Sequence, residues 1–328
     1  MAHGKSLDIN SSSYEGELAL PYIAPAILSA DTIANGYITV HENVKFKAVL
    51  KKLVAANEII DQANCDFTKT AGDLDLDEVV LTPTELQVNQ ELCKRDFRSD
   101  WEAMQTGRSL MGDRLPPNFE TFLLQFLAGK VSEGVERAIW QGNFNASTGA
   151  ATGGIAPHFD GIWHLVKDGD ASLASSVDFA DVIDSGDVLD RVDAVVAGGS
   201  SAVLNNSDAK IFMSRKTLYL FQRALGGVTT NLGNASAPNQ GGILTGVVPT
   251  TYMGYEIIAP SGFPNDCILF TTIDNLHFGC NLATDQIEAT LVDMTLTDAS
   301  DNVRVAMRFS GGTQIGSLAD VSAGYIQA

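Results

Sequence analysis

Residues 18–40 read LALPYIAPAILSADTIANGYITV, a run of core-type side chains that keeps neither the helical nor the alternating period. Pro21 and Pro25 break it, and with Asp31 they interrupt the continuous apolar stretch that a secretory signal requires. A membrane span needs about 20 nearly unbroken apolar residues, which this segment lacks. What remains is an extended arm. Ordering a residue costs roughly 1–2 kcal/mol of backbone entropy, so Tyr22, Ile23, Ile27, Leu28 and Ile33 are expected to pack on something, and a neighbouring copy is the expected surface. That reading points to assembly.

Beyond the arm, VKFKAVLKKL (residues 44–53) interleaves Lys45, Lys47, Lys51 and Lys52 with apolar residues. The next forty residues read as β structure: EIIDQANCDF, a turn at Gly72, DLDLDEVVLTP, then ELQVNQELC. Alternation sets Leu74, Leu76 and Val79 against Asp73, Asp75 and Asp77, which predicts a hairpin over about 58–92 with one apolar face. An acidic hairpin following a basic segment suits docking between copies, and a solvated hairpin face is the alternative.

Composition bounds the rest. The chain has 328 residues, 45% hydrophobic and 19% charged, the balance of a globular protein of one large or two ordinary domains. Its formal charge is −19, opposite to what a protein that grips phosphates usually carries. Cys65, Cys93, Cys267 and Cys280 have no CxxC spacing, so reduced thiols are expected and a zinc site is not.

The clearest single element is LPPNFETFLLQFLAGKVSEGVERAIWQGN (residues 115–143). Pro116 and Pro117 suit a helix entry, and Phe119, Phe122, Leu123, Phe126, Leu127, Val131, Val135, Ala138 and Ile139 recur at three and four to build one stripe. Gly142 is expected to stop it. After a Gly/Ser/Thr-rich stretch (143–154) come a helix in DSGDVLDRVDAVV, a buried strand in AKIFMS and a helix in RKTLYLFQRAL. Strands follow in TTYMGYEIIAP, CILFTTIDNLHFG, QIEATLVDMT and NVRVAMRFSGGTQIG. The order is an α+β pattern with an inserted domain.

Catalytic patterns are incomplete. No Walker loop or GxGxxG occurs, and Ala202 stands where a nucleophile elbow needs glycine. Ser207 and Lys210 match SxxK, and Ser300-Asp301-Asn302 matches SDN, without the KTG element that should follow. His158, Asp160 and His164 are metal-ligand types, read here without helical spacing and as part of a loop entering the second domain. His277 is expected to be an interior strand residue. No cofactor or metal is expected.

Several of these segments resemble one family. PYIAPAILSADTIANGYITV with VKFKAVLKKL, LTPTELQVNQELCKRDF, LPPNFETFLL, FTTIDNLHFGCNL and DNVRVAMRFSGGTQIG are similar, in order, to major capsid proteins of tailed bacteriophages. The resemblance runs from about Leu18 to Gly316 and is least over 156–240. It implies a Hong Kong 97-type capsid fold, with an N-terminal arm (1–43), an extended hairpin or E-loop with its base (44–92), a peripheral domain (93–154) whose spine helix is 116–141, an inserted axial domain (155–262), peripheral return strands (263–312) and a C-terminal return toward the axial domain (313–328). It further implies self-assembly, as hexamers and pentamers, into an icosahedral shell around packaged double-stranded DNA. A portal protein, a separate scaffolding protein and a decoration protein are the implied partners. The implied location is the virion capsid, assembled in the host cytoplasm, with no membrane. The chain begins almost at the arm, so scaffolding is expected to be separate, already cleaved or absent. Some relatives crosslink a hairpin lysine to a neighbour's asparagine; Lys69 and Asn302 are the positions of that kind, although an exposed loop lysine is the plainer reading.

Three rivals stay open at this point. One is an encapsulin-like compartment shell of the same fold. Another is a cytosolic serine hydrolase using Ser207 and Lys210, and the third is a non-catalytic binding module. Loss of residues 1–43 is expected to leave a folded subunit that forms no shells.

Overall fold

The computed structural model describes residues 31–55, 74–93, 117–145, 150–151, 159–225, 250–280, 289–294, 300 and 302–326. A single helical turn, α1 (Asp31–Ala34), leads into β1 (Thr39–His41). Next come β2 (Ala48–Ala55), β3 (Leu74–Leu81) and β4 (Thr84–Cys93), then the long helix α2 (Pro117–Gln141). A two-residue ladder, β5 (Phe144–Asn145) with β6 (Ala150–Ala151), follows it. The middle of the chain forms α3 (Ile162–Asp168), β7 (Ser175–Asp178), α4 (Val188–Ala197), α5 (Ser201–Leu204), β8 (Ala209–Met213) and α6 (Arg215–Leu225). The last part is β: β9 (Thr251–Tyr252), β10 (Tyr255–Ile258), β11 (Ile268–Thr272), β12 (Leu276–Gly279), β13 (Ala289–Asp293), β14 (Asn302–Ile315) and β15 (Ser322–Tyr325).

A six-stranded mixed sheet, in the order β7-β15-β11-β8-β10-β9, separates two apolar cores. Strand alternation decides which side chain joins which core. Ala209, Ile211 and Met213 of β8, with Ile268 and Phe270 of β11, face Val188, Val192 and Val195 of α4 and Phe221 of α6. Phe212, Leu269, Ile258 and Ala323 point the other way, into a core shared with Trp140 and Ile139 of α2, Trp163, Phe263 and Ile38. Strand β11 therefore lies at the centre of this sheet, so the boundary expected at residue 262 falls inside one unit. Its apolar run suits either sheet equally, and only pairing with β8 and β15 assigns it.

The second sheet is organised by β14, whose 14 residues span it. Its first part pairs with β4 on one side and β13 on the other, and its end pairs with β12, which carries β1 in parallel. Two glycines permit the corner between β3 and β4 to cross this sheet. A Cβ on Gly312 would lie 2.8 Å from the Thr82 carbonyl oxygen and 3.0 Å from Pro83 Cα, and one on Gly279 would lie 2.8 Å from the Leu81 side chain. Gly312→Ala is therefore expected to cost about 1–3 kcal/mol. Gly134→Ala, in α2 where an added Cβ meets nothing within 4 Å, is expected to be neutral or to stabilise by up to about 1 kcal/mol. Urea midpoints of the two variants check this.

Helix α2 runs as the periodicity predicts, with Ala138, Ile139 and Trp140 fully buried. The side chains of 117–128 lie outside the described residues. Gly142 is needed for space rather than for a left-handed cap: a Cβ there would sit 2.3 Å from the Phe159 carbonyl oxygen, and Gly161 N–H donates to the Gly142 carbonyl at 2.9 Å. That close approach launches α3, so the stretch expected to be a loop at HFDGIWH passes into helix at Ile162. Within it His164 Nε2 lies 3.6 Å from Asp160 and 3.3 Å from Asp168, both at helical spacing of four, which corrects the expectation of no such spacing. His158 is outside the described residues.

Candidate inter-subunit surface

The basic segment and the acidic segment are the two strands of one hairpin. β2 pairs antiparallel with β3, placing Lys51 opposite Glu78 and Lys52 opposite Asp77. This corrects two expectations. The partner of the acidic strand is 48–55 rather than 58–67, and the charge split is met within the chain, where Lys51 Nζ lies 3.2 Å from Glu78. Both side chains are about half exposed, so the pair contributes only about 0–1 kcal/mol.

The ladder register also sorts the hairpin's faces. Val49, Lys51, Leu76, Glu78 and Val80 share the outer face; Leu50, Lys52, Asp77, Val79 and Leu81 share the inner one. Val79 is thus on the opposite side from Leu76, against the sequence expectation, because Glu78 and Val80 continue the outward parity. The inner face docks, with Leu81 fully buried. The outer face does not: Val49 is 48% exposed, Leu76 52% and Val80 42%, and Phe46 in the bend before β2 is 75% exposed. Lys47 Nζ sits 5.5 Å from the Phe46 ring centre, and Lys45 and Lys47 are exposed. An apolar stripe on a two-stranded ribbon is the sort of patch that another surface covers.

The inner face is tied to the body at two places. Gln314 Nε2 donates to the Val80 carbonyl at 3.1 Å. Lys52 Nζ pairs with the Asp320 carboxylate and donates to Ser317 Oγ at 2.9 Å. Burial works against ionised Asp320, but the hydrogen bonds from Lys52, Ser317 and Ser200 outweigh it and hold its carboxyl below the ordinary range.

The arm's root belongs to the chain's own core. Thr32 is fully buried, Ile38 and Val44 are buried, and Ile33 packs against the larger core. Thr32 meets a carboxylate inside the protein: its hydroxyl donates to Glu136 Oε1 at 2.6 Å and its N–H to Oε2 at 3.1 Å. Trp140 Nε1 donates to the same hydroxyl at 2.7 Å. Glu136 is 1% exposed, and burial raises its carboxyl above the usual carboxylate value despite those bonds and one from the Gly262 backbone. Strand β1 adds His41, whose Nε2 lies 3.0 Å from Nδ1 of His277. Burial and the facing His41 push the His277 imidazolium down to about 4.

Of the residues expected at contacts, Tyr22, Ile23, Ile27, Leu28 and Asp73 lie outside the described residues. Asp75 is placed in β3, and Asp77 is exposed there. Phe46, Val49 and Val80 were not among the expected contacts, although period-two alternation carries the signal for all but Phe46.

The hydrolase geometry is not assembled. Ser207 is exposed in a turn, Lys210 lies on β8 rather than one helical turn on, and its Nζ donates to Glu256 at 2.8 Å. Asn302 Nδ2 donates to Glu91 Oε1 at 2.5 Å, with Arg304 on the other carboxylate oxygen at 3.0 Å. Lys69 is outside the described residues. Among the described residues no group of three or more His, Cys, Asp or Glu side chains is arranged to hold a metal, and no helix is long and apolar enough to cross a membrane.

No family model matches the chain, and no curated protein matches it by sequence. Solved structures do match. A chain from the capsid of a native GTA particle is 15% identical with a TM-score of 0.54, over 99% of this chain and 97% of that one. A chain from the procapsid of satellite phage P4, which includes the size determination (Sid) protein, is 12% identical with a TM-score of 0.53, over 95% and 99%. A chain from the capsid of Myoviridae phage XM1 is 10% identical with a TM-score of 0.53, over 90% and 92%. The chain has the fold of phage capsid proteins, the Hong Kong 97-type α+β fold.

Proposed function

We propose that this chain is the major capsid protein of a tailed bacteriophage, a structural subunit that self-assembles into an icosahedral shell around packaged double-stranded DNA. The observation that carries the reading is the near end-to-end likeness to capsid chains, from arm root to last strand. In this reading the residues before Asp31 form the arm, β2–β3 is the E-loop, α2 is the spine of the peripheral domain, and the six-stranded sheet is the axial domain. Hexamers and pentamers are the building units. A portal protein, a scaffolding protein and a decoration protein are partners by the same reading, and the virion, assembled in the host cytoplasm, is the location. The net charge of −19 suits a wall that encloses DNA without holding it.

Negative-stain electron microscopy of the concentrated protein, beside its sedimentation profile, tests this. Closed particles or rings of five and six subunits are expected. A monomer under all conditions, scaffold co-expression included, overturns the reading. Leu76→Glu, on the exposed outer face of the hairpin, is expected to leave the unfolding midpoint within about 0.5 kcal/mol of the parent while abolishing particles.

A further inference from the structure

The inner face of the hairpin carries one lysine with two carboxylates within its range. Lys52 Nζ is bonded to Asp320 and to Ser317 Oγ. Directly across the ladder on the same face stands Asp77, its register partner on β3, which is exposed and makes no ion pair among the described residues. Opposite charges at directly facing strand positions attract one another. The two acceptors differ in what they belong to. Asp77 is part of the hairpin and travels with it. Asp320 is fixed to the body: its Oδ1 accepts from Ser200 Oγ at 3.2 Å, and its carbonyl accepts from Thr271 Oγ1 at 2.9 Å. Ser317 is held likewise, by Asn275 at 2.7 and 2.9 Å.

Between the hairpin and the body lies a cavity of about 390 Å³, lined among others by Leu50, Lys52, Val203, Asn275, His277 and Asp320. Close packing therefore does not hold β2 at this level. The polar tie does, while the root is held by buried Leu81 and by Gln314 on the Val80 carbonyl. We propose that Lys52 is a two-position latch, clamping the hairpin over the cavity when it sits on Asp320 and freeing the hairpin to change its angle about the Leu81–Pro83 root when it moves to Asp77. The ionisable groups facing this pair from the body are Asp274, from the turn before β12, and His277 from β12, while Lys51 and Glu78 pair on the opposite face of the hairpin.

An ion pair this exposed shifts an equilibrium by a few-fold rather than by orders of magnitude. Salt, pH or a competing surface then suffices to move it. Because the Asp320 carboxyl is held below its ordinary range, the clamp is present above that range and is lost as pH falls through the depressed value. None of this requires that the chain form shells.

Hydrogen–deuterium exchange on the full chain, taken as the non-assembled fraction from gel filtration, reads the latch directly. Asp320→Asn and Lys52→Gln are each expected to speed exchange of β2 and β3 peptides roughly fivefold, with β8 and β11 unchanged. The double variant is expected to exchange no faster than either single one, since all three remove the same tie. Asp77→Asn, which deletes the alternative seat, is expected to slow hairpin exchange or leave it as it is. Unchanged exchange in Asp320→Asn overturns the proposal. So does additivity in the double variant, a rise in Asp77→Asn equal to that in Asp320→Asn, or acceleration of β8 and β11 along with the hairpin.

Discussion

A chain shortened to begin at Asp31 is expected to fold with its core intact and to form no closed shells, whereas one shortened to begin at Val44 is expected to be largely unfolded. The difference lies in thirteen positions that the sequence alone assigns to the arm. They include Ile38, whose full burial is worth about 1.5–3 kcal/mol, and β1, which completes the sheet beside β12. They also include Thr32, whose removal strips both an N–H and an O–H donor from the buried Glu136 carboxylate. Breaking a buried charged contact from one side costs about 3–5 kcal/mol. Domains of ordinary stability have about 5–15 kcal/mol in total, so the second truncation removes most of it. Circular dichroism with urea titration separates the two chains, and electron microscopy reads assembly of the first. Shells of normal size from the chain beginning at Asp31 would remove the arm from the mechanism.

Thr32→Val is expected to destabilise the protein by about 2–4 kcal/mol through two unpaired buried groups, the Trp140 indole N–H and one Glu136 oxygen. The variant keeps shape and β-branching, so the loss isolates the hydroxyl. Glu136→Gln carries a further expectation, in pH dependence. The Glu136 carboxyl is raised above 4.5 in the folded protein, so the folded state binds its proton more tightly than the unfolded chain does. Its contribution to stability is then fully present below 4.5 and is lost as pH rises through the raised value. Urea midpoints of wild type relative to Glu136→Gln are expected to fall between pH 4 and pH 8. A difference independent of pH over that range would show that the carboxyl binds its proton no more tightly in the folded protein than in the unfolded chain.

Helix α2 was legible because its signal is local: apolar residues every three or four positions and prolines at its entry. So were β8, α6 and β14, for the same reason. The hairpin was half legible. Its acidic strand announces itself by alternation, but the choice of partner is not written nearby, and EIIDQANCDF is nearer in sequence than the strand that pairs. Membership of β11 in the six-stranded sheet was hidden because a short apolar run reads alike in either sheet. Glu136 sits in VSEGVERA, which reads as a solvated helix face until Thr32, 104 positions earlier, covers it. The Lys52 tie spans 268 positions, and no window of sequence contains both ends.

The place of β15 in its sheet has a consequence for biosynthesis. Among the described residues β7 finds its hydrogen-bonded neighbour only in β15, whose other side pairs with β11. Residues 175–178 therefore leave the ribosome some 150 positions ahead of the strand they need, and β11 keeps one edge open for about 50 positions. Unpaired strand edges are where nascent chains stick to one another. The sheet can close only after residue 325 has emerged, so a chain cut short of β15 cannot finish it. Emergence of β15 thereby becomes the gate on closing the six-stranded sheet, ahead of any contact the finished sheet makes.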